Sequence, residues 1–367
     1  MMKQRTWMSS LALAVLTGAS VAQTRHVVGG NVGEFRTIQA AVDAATSGDQ
    51  IFVRAGTYGS FDVVGKSLRI IGGGGGAVPS VRVSGLSVVR AVQTGTVLLS
   101  RMEMSGLAIR QSNADIVLSL LGTGDGGLEI TSCRDVRASD IRTGANPLTV
   151  ADSRLTLVAS SLADGLSATG LKGPAAIFDR SHVVFGGVNA NGLATHPTVR
   201  LTKTILELFN DGFSAIKNSG QTTPCIAGDT ASNVVVDTDS SFGFGRDANN
   251  AINGVPWTMR PAGIVGAGPA DLGSEMLVLF GKDTSDSWVL LFGTQGPYVD
   301  LGFGGTDLGL GTIVGVLSGG PGTNRLAFRF QVPNIQALAG VHLTWQGATI
   351  HSAGLTLTNV STNVIQG

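Results

Sequence analysis

The sequence predicts an all-β protein: a parallel β-helix, or solenoid, with an N-terminal capping helix, followed by a C-terminal antiparallel β-sandwich. Three observations lead to this prediction. Glycine accounts for 53 of the 367 residues, short apolar strands recur up to about residue 212, and two-residue alternation appears after residue 263. A glycine-rich chain of many short strands is typical of folds with many tight turns and few helices.

The capping helix is predicted in residues 37–58, where an apolar stripe has the spacing i, i+3, i+4 and i+7. The stripe is formed by Ile38, Ala41, Val42 and Ala45. Residues 47–49 end the helix, Ile51 and Val53 alternate as a strand, and residues 56–58 turn the chain. Because the terminal coil of a solenoid must be covered, we expect this helix to close the open end.

A repeat follows, in which each unit has a short apolar strand, a polar bend and a second strand. The clearest units begin at Leu128, Leu148, Ala176 and Val199, at separations of 20, 28 and 23 residues. These separations are typical of solenoid repeats. Units beginning at Val81 and Leu107 fit less well, and residues 97–104 fit no single register. Strands this short bury an apolar face only when they stack.

Aligning the clear units places small residues in one column, predicted to point inward at a corner: Cys133, Ser153, Ser181 and Thr204. Charged residues flank that column. We call them the charged bend: Arg134, Asp135, Asp152, Arg154, Asp179, Arg180, His182 and Lys203. Two interpretations are open. The bend is a groove for an anionic sugar chain, since guanidinium binds carboxylate in bidentate fashion, or it is a solvated ladder of ion pairs.

The entry segment, from the helix through residues 47–49 and on to residues 53–58, resembles that of pectin-lyase-like right-handed parallel β-helix proteins. Ala55 stands where that pattern often has proline. The resemblance implies a right-handed solenoid and permits Arg154, Arg180 or Lys203 as a base beside Ca²⁺ or a basic group. It assigns none of them, because no diagnostic catalytic motif of those enzymes is present. Residues 332–348 resemble a closing module of many exported bacterial proteins.

The first residues have the features of a secretory signal peptide. Lys3 and Arg5 precede an apolar run at residues 11–16, and small residues at 20–22 precede Gln23. The apolar run is too short to span a bilayer, so we expect an exported protein without a transmembrane segment. The predicted divisions are 1–22 for the signal peptide, 23–255 for the β-helix, 256–262 for a linker and 263–367 for the sandwich.

Charge and motif spacing narrow the choice of ligands. The formal net charge is +0 and only 14% of residues are charged, so we expect no nucleic-acid partner. Residues 264–270 have the glycine spacing of a dinucleotide loop, but Asp271 replaces the third glycine and strands follow, so no such cofactor is expected. Asp237, Asp239 and Ser241 have the spacing of the first ligands of a calcium loop. Because Gly243 comes one place late and Ala248 replaces the twelfth-position glutamate, Ca²⁺ is a minor alternative.

Two function hypotheses follow. The first is an exported protein that is not an enzyme and binds a carbohydrate or a partner along the solenoid, with an acidic polysaccharide or a cell-surface glycan as the expected ligand. Its expected location is extracellular or at the cell surface, and the periplasm is the alternative. The alternative is a polysaccharide lyase or glycoside hydrolase acting on acidic polysaccharides. The stacking argument also predicts that Cys133 and Cys225 lie too far apart along the solenoid to form a disulfide.

Overall fold

In the computed structural model, the described residues are 24–73, 79–124, 126–158, 160–162, 173–193, 195–209, 215–218, 222–236, 241–242, 247–259, 264–267, 270–271, 275–299, 304–305, 308–322, 325–335, 338, 341–352 and 354–366. They form a solenoid of stacked parallel strands, followed by a C-terminal module of two sheets. The fold class predicted from the sequence is therefore confirmed.

Each solenoid turn visits three faces in chain order. Face 1 stacks Arg25–Val28, Gln50–Val53, Arg69–Gly72, 98–100, 115–119, 135–139, Arg154–Val158, His182–Gly186, Ile205–Phe209, Asn233–Val236 and Trp257–Met259. Face 2 stacks Gly56–Gly59, 81–84, 102–104, 121–123, 141–143, Ser161–Leu162, Asn189–Gly192, Ala215–Asn218 and Ser241–Phe242. Face 3 stacks Asp62–Val64, 86–90, 107–110, 128–131, Leu148–Ala151, Ala176–Asp179, Val199–Thr202, Ile226–Gly228 and Ile252–Asn253.

Three long strands bend across more than one face: Val81–Arg90, Thr96–Thr123 and Leu128–Thr143. Such bending explains why residues 97–104 fit no single period. Arg101 is in the left-handed conformation, with φ at 59°, and marks the corner between faces 1 and 2. The inward and outward alternation of side chains in residues 97–100 therefore belongs to face 1, and that of residues 102–104 belongs to face 2.

The repeat units predicted from the sequence are confirmed in register. Leu128, Leu148, Ala176 and Val199 stand above one another on face 3. The unit placed at Val81 was wrong, because Val81 pairs with Gly56 on face 2 and the face-3 segment of that turn covers residues 86–90. The last face-1 strand, Trp257–Met259, lies inside the predicted linker 256–262.

The capping helix, Ile38–Ala44, begins where the Ala40 N–H donates to Thr37 Oγ1 at 3.1 Å. All four residues of its predicted apolar stripe are buried. Its carboxyl end is capped by Lys66 from the next turn, whose Nζ donates to three carbonyls of the helix end at 2.8–3.1 Å. Residues 56–58, predicted to turn the chain, instead begin a face-2 strand. A second short helix, Ala248–Ala251, lies near the last turn.

The solenoid interior is filled by stacked aliphatic side chains together with Phe178 and Phe185, whose rings meet edge to face. Cys133 and Cys225 are both buried in this core and are not joined by a disulfide, as the stacking argument predicted. None of the helices in the described part of the chain has the length and apolar character that a bilayer-spanning helix needs.

The C-terminal module pairs a three-stranded sheet with a six-stranded one. The first contains Ile264–Ala267, Glu275–Gly281 and Arg325–Gln331. The second contains Ala270–Asp271, Ser287–Val299, Gly304–Gly305, Leu308–Gly319, His342–His351 and Gly354–Gln366. Their shared core is aromatic, with Phe330 and Phe292 rings both 4.9 Å from the Trp345 ring. The glycine-rich segment at residue 264 is thus an antiparallel strand of this module.

The C-terminal module covers the outer side of solenoid face 1. Outward residues there are buried, with Val117 and Val184 each 2% exposed and Thr156 3% exposed. The Arg137 guanidinium of the solenoid donates from Nη1 to Thr362 Oγ1 of the module at 3.4 Å. A ligand that binds along the covered turns must therefore use another face.

Candidate functional site

The charged bend lies at the corner between faces 3 and 1, where seven successive turns each use one left-handed residue. These residues have φ between 45° and 67° and are Gly65, Ala91, Gln111, Ser132, Asp152, Arg180 and Lys203. A side chain other than glycine is uncommon in this conformation. The chain reverses direction sharply here, and the side chains of Asp152, Arg180 and Lys203 are exposed.

The residue after each of the last four left-handed positions is buried at the corner, which confirms the predicted small column of Cys133, Ser153, Ser181 and Thr204. Its members form a ladder of hydrogen bonds between turns. The N–H of Cys133 donates to Ser153 Oγ at 2.9 Å, that of Ser153 to Ser181 Oγ at 3.2 Å, that of Ser181 to Thr204 Oγ1 at 3.3 Å and that of Thr204 to Ser232 Oγ at 3.0 Å. The ladder holds successive corners in line, so the charged residues outside it are stacked at a regular spacing of about 4.8 Å.

On the exposed side of the bend, charges pair between turns. Arg180 binds Asp152 in bidentate fashion, with Nε–Oδ1 at 2.6 Å and Nη2–Oδ2 at 2.9 Å. Arg180 also pairs with Asp179. The hydrogen bond from Arg180 lowers the pKa of the Asp152 carboxyl, and the same bond raises the pKa of Arg180. Both groups therefore keep their charges near neutral pH.

Two further interactions extend this pattern along face 3. Arg110 binds Glu129 of the next turn through Nε–Oε1 at 3.0 Å and Nη2–Oε2 at 2.8 Å. The main-chain N–H of Lys203 donates to the Asp229 carboxylate at 3.1 Å. A shallow depression lies beside Arg110 and is lined by Asp62, Val88, Arg90, Arg110, Gln111, Thr131 and Ser132. Aligning the repeat units did not identify Arg110 and Glu129, because both residues precede the bend. Their opposite charges, one turn apart, could have indicated an ion pair between turns.

Face 1 contains three of the remaining predicted residues, Asp135, Arg154 and His182. Arg154 and His182 are neighbours in the strand register and are half-buried. His182 Nε2 is 2.7 Å from Oε1 of Glu207, a buried carboxylate of the next turn. The structure therefore divides the predicted charged bend into an exposed group, which includes Asp152 and Arg180, and a partly covered group that includes Arg154 and His182.

The predicted position of Arg134 was wrong by one residue. Val136 pairs with Leu155, so Asp135, and not Arg134, stands beside Arg154 in the face-1 register. The cause is one extra residue at this corner: two residues separate Cys133 from Val136, whereas one separates Ser153 from Leu155. Arg134 is exposed. Asp135 is buried, and burial raises the pKa of its carboxyl.

Two of the three predicted calcium ligands, Asp237 and Asp239, lie outside the described residues, and Ser241 lies in a described strand whose side chain is not described. Within the described ranges, no group of three or more His, Cys, Asp or Glu side chains has the arrangement of a metal site.

Comparisons with known proteins show a weak structural similarity and no match in sequence. No protein-family model matches the chain, and no curated protein matches it. Among solved structures, the chain is similar to the chitinase ChiW from Paenibacillus sp. str. FPU-7, a multi-modular enzyme expressed at the bacterial cell surface, with 11% identity and a TM-score of 0.21. The match covers 86% of this chain and 24% of the chitinase chain, so this chain spans less than a quarter of that protein.

Proposed function

We propose that the protein is an exported binding protein, not an enzyme, that holds a carbohydrate along solenoid face 3 and the adjoining charged bend. The observation that carries the proposal is the bidentate pair between Arg180 and Asp152, which joins two turns on an exposed surface. Face 3 is the side of this bend that remains open, because the C-terminal module covers the outer side of face 1.

The protonation of this pair favours binding over proton transfer. A lyase base must lose its proton near neutral pH, yet the pairing with Asp152 raises the pKa of Arg180. A general acid must carry a proton, yet the same pairing lowers the pKa of Asp152. Charged groups that stay ionised are suited to hydrogen-bonding sugar hydroxyls and carboxylates.

The spacing of the ladder favours a polymeric ligand. Turns are stacked at about 4.8 Å, close to the length of one sugar residue in an extended chain, so equivalent groups recur along the solenoid axis. Arg134, Arg180 and Lys203 present cations on this surface, and Asp152 and Asp179 present carboxylates. We therefore expect an acidic polysaccharide, held by many weak contacts and sensitive to salt.

Retention on immobilised alginate and polygalacturonate tests the proposal. Wild-type protein is expected to be retained at low salt and released as salt rises, and the double variant Arg180→Ala with Lys203→Ala, which removes two exposed cations of this surface, is expected to lose retention. Arg82→Ala is the matched control, since Arg82 is an exposed arginine on face 2 that pairs with Glu103. Retention unchanged in the double variant, or lost equally in the control, would contradict a ligand site at the bend.

The alternative function as a polysaccharide lyase is tested by the absorbance of its unsaturated product. Incubation with the same uronate polymers is expected to give no rise in absorbance from unsaturated product. A rise that Arg180→Ala abolishes would establish a lyase and replace the binding proposal.

Export forms part of the proposal and is tested separately. Residues 1–22 lie outside the described residues, so the expectation rests on the sequence. The secreted protein is expected to begin at or near Gln23, and N-terminal sequencing that finds Met1 in place would contradict it.

A further inference from the structure

The strand Leu308–Gly319 forms an edge of the six-stranded sheet in the C-terminal module. It pairs on one side with Ser287–Val299, and among the described residues no strand pairs with its other side. We call it the edge strand. A sheet edge presents unpaired N–H and C=O groups and is a template for another strand.

The edge strand lacks two of the features that usually protect such an edge, charge and proline, and its bulged part lies before residue 315. It contains no charged residue and no proline. Ile313 and Val314 are each 46% exposed, and Val316 is 56% exposed. The pairing with Ser287–Val299 is irregular at three places, between Phe292 and Gly293, between Gly293 and Gln295, and between Gln295 and Val299, and Val314 is the extra residue at the first of them. Residues 315–319 are regular and pair one to one with residues 288–292.

The inner side of the edge strand is already filled. Leu317 packs against the aromatic core of the module. Gly315 and Gly319 lie against the rings of Phe292 and Trp288, where an added Cβ would be 2.1 Å and 2.7 Å from ring atoms. Because side chains alternate, Val316 must point to the opposite, outer side. That outer side is continuous with the surface on which Thr362 meets the solenoid.

We propose that the edge strand pairs with the edge strand of a second copy of the chain, antiparallel about a two-fold axis. A second copy supplies a strand of equal length without charges, so no like charges are placed opposite each other. The pairing joins the free backbone groups of both strands and covers the exposed valines. A partner recognised by charge would find no complementary group on this strand.

A single strand pair gives a small interface, so the dimer is expected to be weak, with a dissociation constant in the micromolar range or above. Sedimentation equilibrium of the full chain over a range of concentrations tests this. The average mass of the wild type is expected to rise from one copy towards two. Val316→Lys is expected to weaken association at least tenfold, because a lysine on an edge strand opposes strand addition.

The matched control is Val64→Lys, which places the same charge at a 43% exposed valine on solenoid face 3. It is expected to associate as the wild type does. Each variant is first compared with the wild type by circular dichroism and thermal melting, and Ile313→Lys is used in place of Val316→Lys if the latter is not folded. A wild type that stays monomeric, a Val316→Lys protein that still dimerises, or a control that loses the dimer would each overturn the proposal.

Discussion

Asp135 and Arg137 lie two residues apart on one solenoid strand and form an ion pair beneath the C-terminal module. Arg137 Nε is 2.9 Å from Asp135 Oδ2, and each side chain is only 4% exposed. Arg137 also donates to Thr362 of the module. Burial raises the pKa of the Asp135 carboxyl, while the charge of Arg137 opposes that rise. The pair therefore links the solenoid to the module at a point from which water is largely excluded.

Breaking this pair is expected to be costly. Asp135→Asn leaves the Arg137 charge buried without its counter-ion, and we expect a loss of about 3–5 kcal/mol in the free energy of unfolding. The control is Glu129→Gln, which breaks the exposed pair with Arg110 and is expected to cost about 0–1 kcal/mol. Guanidinium denaturation followed by tryptophan fluorescence measures both. Equal effects in the two variants would show that the Asp135 pair is not buried as described.

The hydroxyl ladder gives a second prediction. Ser153 Oγ accepts from the Cys133 N–H at 2.9 Å and donates to the Ala151 carbonyl at 2.7 Å. Ser153→Ala would leave that buried N–H without this acceptor, and the expected loss is about 1–3 kcal/mol by chemical denaturation. Ser153→Thr is the control, because Thr204 occupies the same column and makes the same bonds. The role of the ladder would be refuted if Ser153→Ala were as stable as the wild type.

The solenoid was predictable from the sequence because apolar residues recur at equivalent positions of successive strands, as stacking of the turns requires. Leu128, Leu148, Ala176 and Val199 are apolar at equal register, and the small column marks the corner that follows each of them. The helix cap was predictable for the same reason, since its stripe has helical spacing. The left-handed bend residues were not, because Arg180 and Lys203 are not residue types that favour a positive φ.

The position of the C-terminal module on face 1 depends on contacts between residues far apart in the sequence. Local sequence patterns do not indicate such contacts. One signal was present. Residues 116–118 and 183–185 are continuous apolar runs, which indicate strands buried on both sides. Nothing in the sequence indicates that Thr362 would meet Arg137. The contact with the C-terminal module therefore divides the predicted charged bend in a way that the sequence pattern does not indicate.

The left-handed conformation of Lys203, with φ at 48°, gives a third prediction. Lys203→Gly is expected to leave stability unchanged or raise it by up to about 1 kcal/mol, whereas the β-branched Lys203→Val is expected to lower it by about 1–2 kcal/mol. The neighbouring exposed Thr202 lies in a regular strand, so there the order should reverse, with glycine less stable than valine. Thermal melting of the four variants measures the order of stability of the glycine and valine variants at each position. The same order at both positions would contradict the left-handed conformation of Lys203.

The last prediction concerns Asp140, the left-handed residue at a corner between faces 1 and 2. Burial raises the pKa of its carboxyl from 3.8 to about 6, partly opposed by Arg142. Between pH 4 and pH 6 the folded protein therefore holds more protons at this site than the unfolded chain does. The contribution of Asp140 to stability is accordingly present below pH 4 and is lost as the pH rises through about 6.

Asp140→Asn removes this titration and keeps a residue type that tolerates a positive φ. Its free energy of unfolding relative to the wild type is expected to rise by about 1–3 kcal/mol between pH 4 and pH 7. Asp152→Asn is the control with the opposite sign, because pairing with Arg180 lowers the pKa of Asp152 from 3.8 and that stabilisation is lost as the pH falls below this value. Denaturation curves at pH 4 and pH 7 measure the difference for Asp140→Asn, and curves at pH 4 and at a pH of about 2 measure the difference for Asp152→Asn. A pH-independent difference for Asp140→Asn would mean that the carboxyl is solvated, and the corner would then have to be more open than its half-buried position indicates.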